Sequence, residues 1–278
     1  MDVLDEAVRL RREGRKCALA TIVAVNGSIP SYESARILVR DDGSMAGTIG
    51  GGCVEADVYA AAVEAIEEGK PRRMEFSLGN DAAYDSGLIC GGQLEVFIEP
   101  LIPQPRAFVF GAGHISKGLS TVLAMSGFAV EVIDDRESFA NRARFPDADE
   151  VHAGEYEEVF TRLTVHDSAY IVIVTRGHRD DMRVLKWAVT TPARYIAMIG
   201  SKRKVISVVK ELEKEGIPRS SFDRLHAPMG LEIGAVTPEE IAVSVAAEMI
   251  AFRRGAGSDW RALSMSIFLN RELKAQQK

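Results

Sequence analysis

The sequence predicts an α/β protein in two parts, an N-terminal α+β domain followed by an α/β domain on a parallel sheet. Three observations carry that expectation. Residues 107–136 (AFVFGAGHISKGLSTVLAMSGFAVEVIDDR) run from an apolar strand through a glycine turn and an amphipathic helix to a second apolar strand. Residues 35–40 and 45–48 flank Asp41-Asp42-Gly43, a hairpin signal that belongs to antiparallel pairing. Between the two parts, Pro100, Pro103 and Pro105 fall within the segment 100–105, which reads as a linker because proline interrupts both helix and sheet.

The first domain is expected over residues 1–99. Val3, Leu4, Ala7, Val8 and Leu10 give residues 2–13 an apolar helical face that ends at Gly14. Residues 17–25 (CALATIVAV) read as a strand and precede a turn-rich stretch. After the hairpin, Ile49-Gly50-Gly51-Gly52-Cys53-Val54-Glu55 leads into a helix whose apolar face is Val54, Val58, Ala61, Ala62, Ala65 and Ile66. Gly69 and Pro71 close that helix. Residues 72–77 and 93–98 read as strands, separated by a polar loop and by Cys90-Gly91-Gly92.

The second domain is expected over residues 106–255. Phe108–Phe110 stops at Gly111-Ala112-Gly113, Ile115, Leu119, Val122 and Leu123 recur at helical spacing, and Gly127 closes the helix. The next strand ends at Asp134, a little over twenty positions after the first glycine. This layout resembles the dinucleotide-binding fingerprint of a Rossmann-like domain, with Ser116 where its third glycine is expected and Gly118 following. Two more strands, at 169–174 and 195–199, stop at Thr175-Arg176-Gly177-His178 and Gly200-Ser201-Lys202-Arg203-Lys204. Pro238 opens a final helix, and residues 256–278 read as a polar tail.

Composition excludes several classes. With 46% apolar and 27% charged residues the chain is an ordinary globular one, and a net charge of −6 argues against a nucleic-acid surface spread over the fold. No segment reaches the ~20 apolar residues of a membrane helix. Residues 1–16 lack the apolar core of a signal peptide, and three widely spaced cysteines make no disulfide framework. A cytoplasmic location is the expectation.

Ligands of open parallel sheets bind beyond the carboxyl ends of the strands. Three such ends carry unusual residues: Gly111 and Gly113 with His114, Arg176 with His178, and Ser201 with Lys202 and Arg203. Glycine turns at helix starts, with cations that oppose the helix dipole, point to a phosphate site. Asp134 suits ribose hydroxyls, or it caps a strand end. His114 and His178 are acid–base groups, ligands or plain hydrogen-bonding side chains. Cys53 opens a helix after three glycines, where a thiolate is favoured, as a soft-metal ligand or nucleophile; Cys90 precedes two glycines. Two cysteines without a third and fourth ligand do not make a structural zinc site, and no metal set or catalytic arrangement is expected. Cys17, within an alternating strand, reads as core.

Gly50-Gly51-Gly52-Cys53-Val54-Glu55 and Cys90-Gly91-Gly92 resemble the two signatures of the XdhC/CoxI family. Gly111-Ala112-Gly113-His114, Asp134-Asp135-Arg136, Arg144-Phe145-Pro146, Thr175-Arg176-Gly177-His178, the run 199–204 and the run 226–234 (HAPMGLEIG) resemble its Rossmann domain in the same order, over about residues 10–255. The resemblance implies an accessory factor for molybdenum hydroxylases such as xanthine dehydrogenase. Such a factor binds the molybdenum cofactor (molybdopterin), supports its sulfuration and delivers it to the apoenzyme, and need not be a catalyst itself. The implied partners are the hydroxylase apoenzyme, a cysteine desulfurase and a second copy of the chain. The implied cofactor-binding residues are Gly51, Gly52, Cys53, Glu55, Cys90 and Gly91 in the first domain. In the second they are Gly111, Gly113, His114, Asp134, Arg176, His178, Ser201, Lys202 and Arg203. After the first strand, near residues 26–30, the family usually carries a glycine and basic residues; here residues 31–35 (SYESA) follow instead, and Glu33 argues against an anion contact from that loop. The alternative is an NAD(P)-dependent oxidoreductase using Gly111, Gly113 and Asp134; a third reading is a scaffold that only recruits partners.

Overall fold

The computed structural model describes residues 2–27, 33–77, 92–257 and 259–269. The chain divides into two compact units, residues 1–104 and 105–278.

The first unit runs α1 (Val3–Arg12), β1 (Cys17–Asn26), β2 (Arg36–Arg40), β3 (Met45–Gly47), α2 (Gly52–Glu68), β4 (Arg72–Ser77) and β5 (Gln93–Leu101). Its five-stranded sheet has the order β3-β2-β1-β5-β4, with every pair antiparallel. The alternation of β1 decides what covers each face. Ala18, Ala20 and Ile22 pack with Val58, Ala62 and Ala65 of α2, while Cys17 packs with Leu10 of α1 and Leu38 of β2. The linker expected at 100–105 begins later than the prolines suggest, because β5 continues through Pro100 to Leu101. Pro100 pairs with Ala18, but β4 reaches only as far as Ile98. Pro100 therefore has a strand on one side only, an edge position where a missing N–H is tolerated.

The second unit runs β6 (Arg106–Phe110), α3 (His114–Met125), β7 (Ala129–Asp134), β8 (Glu150–Ala153), α4 (Tyr156–Phe160), β9 (Tyr170–Ile173), α5 (His178–Ala188), β10 (Tyr195–Met198), α6 (Lys202–Lys214), β11 (Leu225–His226), α7 (Pro238–Arg254) and α8 (Asp259–Leu263). All pairs are parallel, in the order β11-β10-β9-β6-β7-β8. In order of appearance this is the 3-2-1-4-5-6 arrangement of a doubly wound Rossmann sheet, whose order reverses between β6 and β9. Its central strands are buried on both faces. Phe108, Phe110, Ile171 and Ile173 pack with Val184 and Leu185 of α5 and Val205, Val208 and Val209 of α6. Val109, Val130 and Val132 pack with Leu119 and Leu123 of α3 and Ala242, Val245 and Met249 of α7.

The segment read as a polar tail belongs to this core as far as it is described. Trp260, Ser264, Ser266 and Phe268 are buried. The N–H groups of Met265 and Ile267 donate to the carbonyls of Gly230 (3.0 Å) and Ala227 (2.9 Å). Polar and charged residues interrupt its short apolar runs, 262–263 and 267–269, so the stretch carries little periodic signal, which is why the sequence hides this packing.

Candidate functional site

The turn after β6 sits at the switch point of the parallel sheet. Gly111 has φ +107°, and a Cβ there would lie 2.3 Å from the carbonyl oxygen of Val174, so only glycine lets the turn pass β9. A Cβ at Gly113 would meet nothing within 4 Å, leaving open space at the start of α3. That start has no side-chain cap and no acidic residue in its first turn. Its first N–H groups and the positive end of its dipole are therefore available to an anion. The contrast with α7 is direct, since Thr237 and Glu240 close that helix with a capping box.

Ser116 accounts for the irregular fingerprint. Its buried hydroxyl donates to the Gly111 carbonyl, bracing the turn from within α3. The close approach that a third glycine provides falls to Gly118, where a Cβ would stand 3.3 Å from that of Ala242 on α7.

Asp134 is almost fully buried and turned back onto the glycine turn. Its Oδ2 accepts from the Ala112 N–H at 2.7 Å and from Arg136 Nη2 at 2.8 Å. Its Oδ1 accepts from Arg136 N (3.0 Å) and Nε (2.8 Å). Burial pushes this carboxyl up, but the bonds from Arg136 and the Ala112 N–H outweigh it and hold the pKa below the ordinary value. Both oxygens are thus engaged within the protein rather than offered to a ribose. Arg144 reaches the same turn, Nη2 donating to the Ala112 carbonyl at 3.3 Å, while its Nε is buried without a hydrogen-bond partner among the described residues. Ser116 entered the sequence reading only as a departure from the fingerprint, and Asp135 and Arg144 were not singled out as site residues. For Asp135 and Arg144 the available signal was the family motif alone.

The neighbouring strand ends carry the expected cations in unequal states. Arg176, after β9, donates to Asp135 Oδ2 at 2.6 Å and lies 3.4 Å from Asp180 Oδ2. His178 opens α5 but pairs with Glu211 of α6 at 3.0 Å. Ser201 caps α6, accepting from Lys204 N at 3.2 Å. Lys204 is held by Asp181, which also accepts from Thr175 Oγ1 at 2.6 Å. Burial pushes the Asp181 carboxyl up, against the opposing pull of Lys204 and Thr175. Lys202 and Arg203 are exposed and have no ion pair among the described residues. His114 is exposed at the start of α3.

Beyond β11, the Ala227-Pro228 peptide bond is cis, and the following turn is held from α7 by Glu248. Buried Glu248 accepts from Tyr195 Oη (2.8 Å), from the Gly230 N–H (2.9 Å) and from the Ser264 hydroxyl. His226 Nδ1 lies 3.7 Å from its other oxygen.

The first unit carries a second glycine turn. Gly50, Gly51 and Gly52 have φ values of +121°, +77° and +69°, a run that side chains would strain. A Cβ at Gly51 or Gly52 would meet nothing within 4 Å. Glu55 folds back beneath this turn, Oε2 accepting from Thr48 Oγ1 (2.6 Å), Ile49 N (3.2 Å) and Gly51 N (3.3 Å). The Thr48 bond lowers its pKa most, burial opposes, and the two N–H groups add to the lowering. Cys53 is exposed in the first turn of α2. Cys90 and Gly91 lie outside the described residues.

Comparison with known proteins agrees with this anatomy. The XdhC Rossmann domain model matches residues 107–249, and the XdhC and CoxI family model matches residues 10–77. The uncharacterized protein YqeB of Escherichia coli is 34% identical over 257 residues, covering 92% of this chain and 47% of that protein. A probable xanthine dehydrogenase component of Bacillus subtilis is 34% identical over 161 residues, 57% of this chain and 46% of its own. The chain thus spans about half the length of these two relatives. The molybdenum cofactor insertion chaperone PaoD of Escherichia coli is 24% identical over 282 residues, 90% of this chain and 88% of its own. A crystal structure described as a Bacillus halodurans xanthine dehydrogenase shares the fold, with TM-score 0.50 and 23% identity over 93% of this chain and 97% of that one. With both halves matched in order, the chain belongs to the XdhC and CoxI family.

Proposed function

We propose that this protein binds the molybdenum cofactor, supports its sulfuration and hands it to a molybdenum hydroxylase such as xanthine dehydrogenase. The observation that carries the reading is the start of α3 at the switch point, open around Gly113, with no side-chain cap from that glycine and no acidic residue in its first turn. Such a helix start suits the phosphate of a pterin cofactor. Exposed Lys202 and Arg203 add positive charge at a further strand end. In the first unit, exposed Cys53 at the start of α2 offers a thiol suited to a soft metal or to sulfur. The relative named a molybdenum cofactor insertion chaperone, matched along most of its length, supports the same role.

Once delivered, the cofactor would supply the hydroxylation chemistry of the client enzyme. This chain's residues hold the anion, keep the glycine turns rigid through Asp134 and Glu55, and present Cys53. A cysteine desulfurase as sulfur donor, a homo-oligomeric state and a cytoplasmic location belong to the same proposal. The alternative, an NAD(P)-dependent oxidoreductase, draws on the strand order and the two glycines. Against it stands Asp134, whose oxygens are both engaged by Ala112 and Arg136.

The test is equilibrium binding of the purified chain to isolated molybdenum cofactor, with NADH and NADPH in parallel. Tight cofactor binding, weakened about 10-fold by Lys202→Ala/Arg203→Ala and relaxed by salt, is the expected result. Binding of a nicotinamide dinucleotide without the molybdenum cofactor would overturn the proposal in favour of the oxidoreductase.

A further inference from the structure

At the β8 edge of the parallel sheet, β7 and β8 bring together residues that lie nineteen or more positions apart in the sequence. Glu131 stands in register with Glu150, and Ile133 with His152. Side chains two apart share a face of a strand, so Glu131, Glu150 and His152 all project on one side. Glu131 is 3% exposed, whereas His152 is partly buried and Glu150 exposed. One ligand atom from each of the three lies within 4.8 Å of the others.

A buried carboxylate needs a partner, and Glu131 has one on its Oε1, where Arg106 Nη1 donates at 2.5 Å. That bond fixes the plane of the carboxylate and leaves Oε2 directed at His152, 2.9 Å from Nε2. Glu150 Oε2 approaches the same nitrogen to 3.5 Å. An imidazole Nε2 carries at most one proton, yet two carboxylate oxygens converge on it. A divalent cation in place of that proton answers both carboxylates and the ring nitrogen together.

We propose that Glu131, Glu150 and His152 form a binding site for a first-row divalent cation, with Arg106 orienting Glu131. One imidazole nitrogen and two carboxylate oxygens suit the borderline ions of the zinc, cobalt and manganese group better than calcium or magnesium, which prefer all-oxygen shells. A hydrogen bond on the far oxygen of a ligating carboxylate is the usual means of fixing it for a metal. Exposed Glu150 leaves room for water to complete the coordination. The site joins the edge strand β8 to β7, and the bound ion stabilises that edge independently of anything held at the cleft.

The experiment is a titration of the chelator-stripped full chain with Co²⁺, followed by visible absorption and by thermal unfolding. The expected result is one equivalent bound, ligand-field bands without a thiolate charge-transfer band, and a raised unfolding temperature. Glu150→Gln and His152→Ala should each weaken binding roughly 10-fold or more, each variant's metal-induced rise in unfolding temperature being read against its own apo form. Cys53→Ser should not. The proposal is overturned if no Co²⁺ binds at millimolar concentration or if binding is indifferent to both substitutions. A spectrum dominated by thiolate and lost with Cys53→Ser overturns it as well.

Discussion

Asp134 and Glu55 each turn a carboxylate back onto a glycine turn, one in each unit. Each accepts from backbone N–H of its turn, and against the opposing effect of burial each pKa is lowered, by Arg136 first for Asp134 and by Thr48 first for Glu55, with the N–H groups adding. The turns are therefore shaped before any ligand arrives, which reduces the ordering cost of binding. The thiols differ as sharply. Burial, with the nearby carboxylates Asp41 and Glu6 adding, pushes the Cys17 thiol up to about 11, whereas Cys53 stands exposed at a helix start. At pH 8 an aromatic disulfide reagent should label Cys53 in the native protein and reach Cys17 only after denaturation. Peptide mass spectrometry checks this, and native labelling of Cys17 would count against the packing described. The alternation of residues 17–25 already announced Cys17 as core. The inward turn of Asp134 was not legible, because a strand-end acid facing a ribose and one facing its own turn have the same sequence position.

Elements are joined by contacts of two kinds. Gly118 lets α3 approach α7, and the branched side chain of Gly118→Val would meet Ala242 and Glu239. The expected cost is about 1–3 kcal/mol, read as a lower denaturant midpoint with an unchanged slope. On the first unit, Glu6 of α1 accepts from Arg9 and from Arg40 of β2 (2.9 Å), tying the helix to the sheet. The Arg9 bond lowers its pKa most, burial opposes and Arg40 adds, bringing it from 4.5 to about 2. The unfolded chain takes up this proton near 4.5 and the folded chain only near 2, so the contribution is whole above about pH 4.5 and fades as pH falls towards 2. Wild type and Glu6→Gln should differ in urea midpoint at neutral pH and converge across that interval. Parallel curves would show that Glu6 does not carry the link. Strands and helices around the glycine turns were legible because apolar period and turn residues agree there. The extension of β5 through Pro100 was not, because it depends on how far β4 reaches.

At the scale of the whole molecule, the sequence announces two kinds of sheet through a hairpin signal in one half and strand–helix alternation in the other. It does not announce strand order, which follows from which pairings bury most surface. The convergence of Glu131, Glu150 and His152 depends on that order and on one register, so no spacing along the chain displays it. The same is true of the C-terminal stretch. Its Ser264 and Ser266 look like ordinary surface serines, yet Ser264 donates to buried Glu248, and Ser266 donates to the Leu225 carbonyl at 3.2 Å. The stretch lies past residue 249, where the match to the family's Rossmann model stops. A fragment trimmed to that limit would cut through α7 one residue beyond Glu248 and strip away the segment that covers the loop after β11. The unit that folds is longer than the unit that is recognised, and excising this domain by its recognised limits would expose the buried acid it was meant to keep.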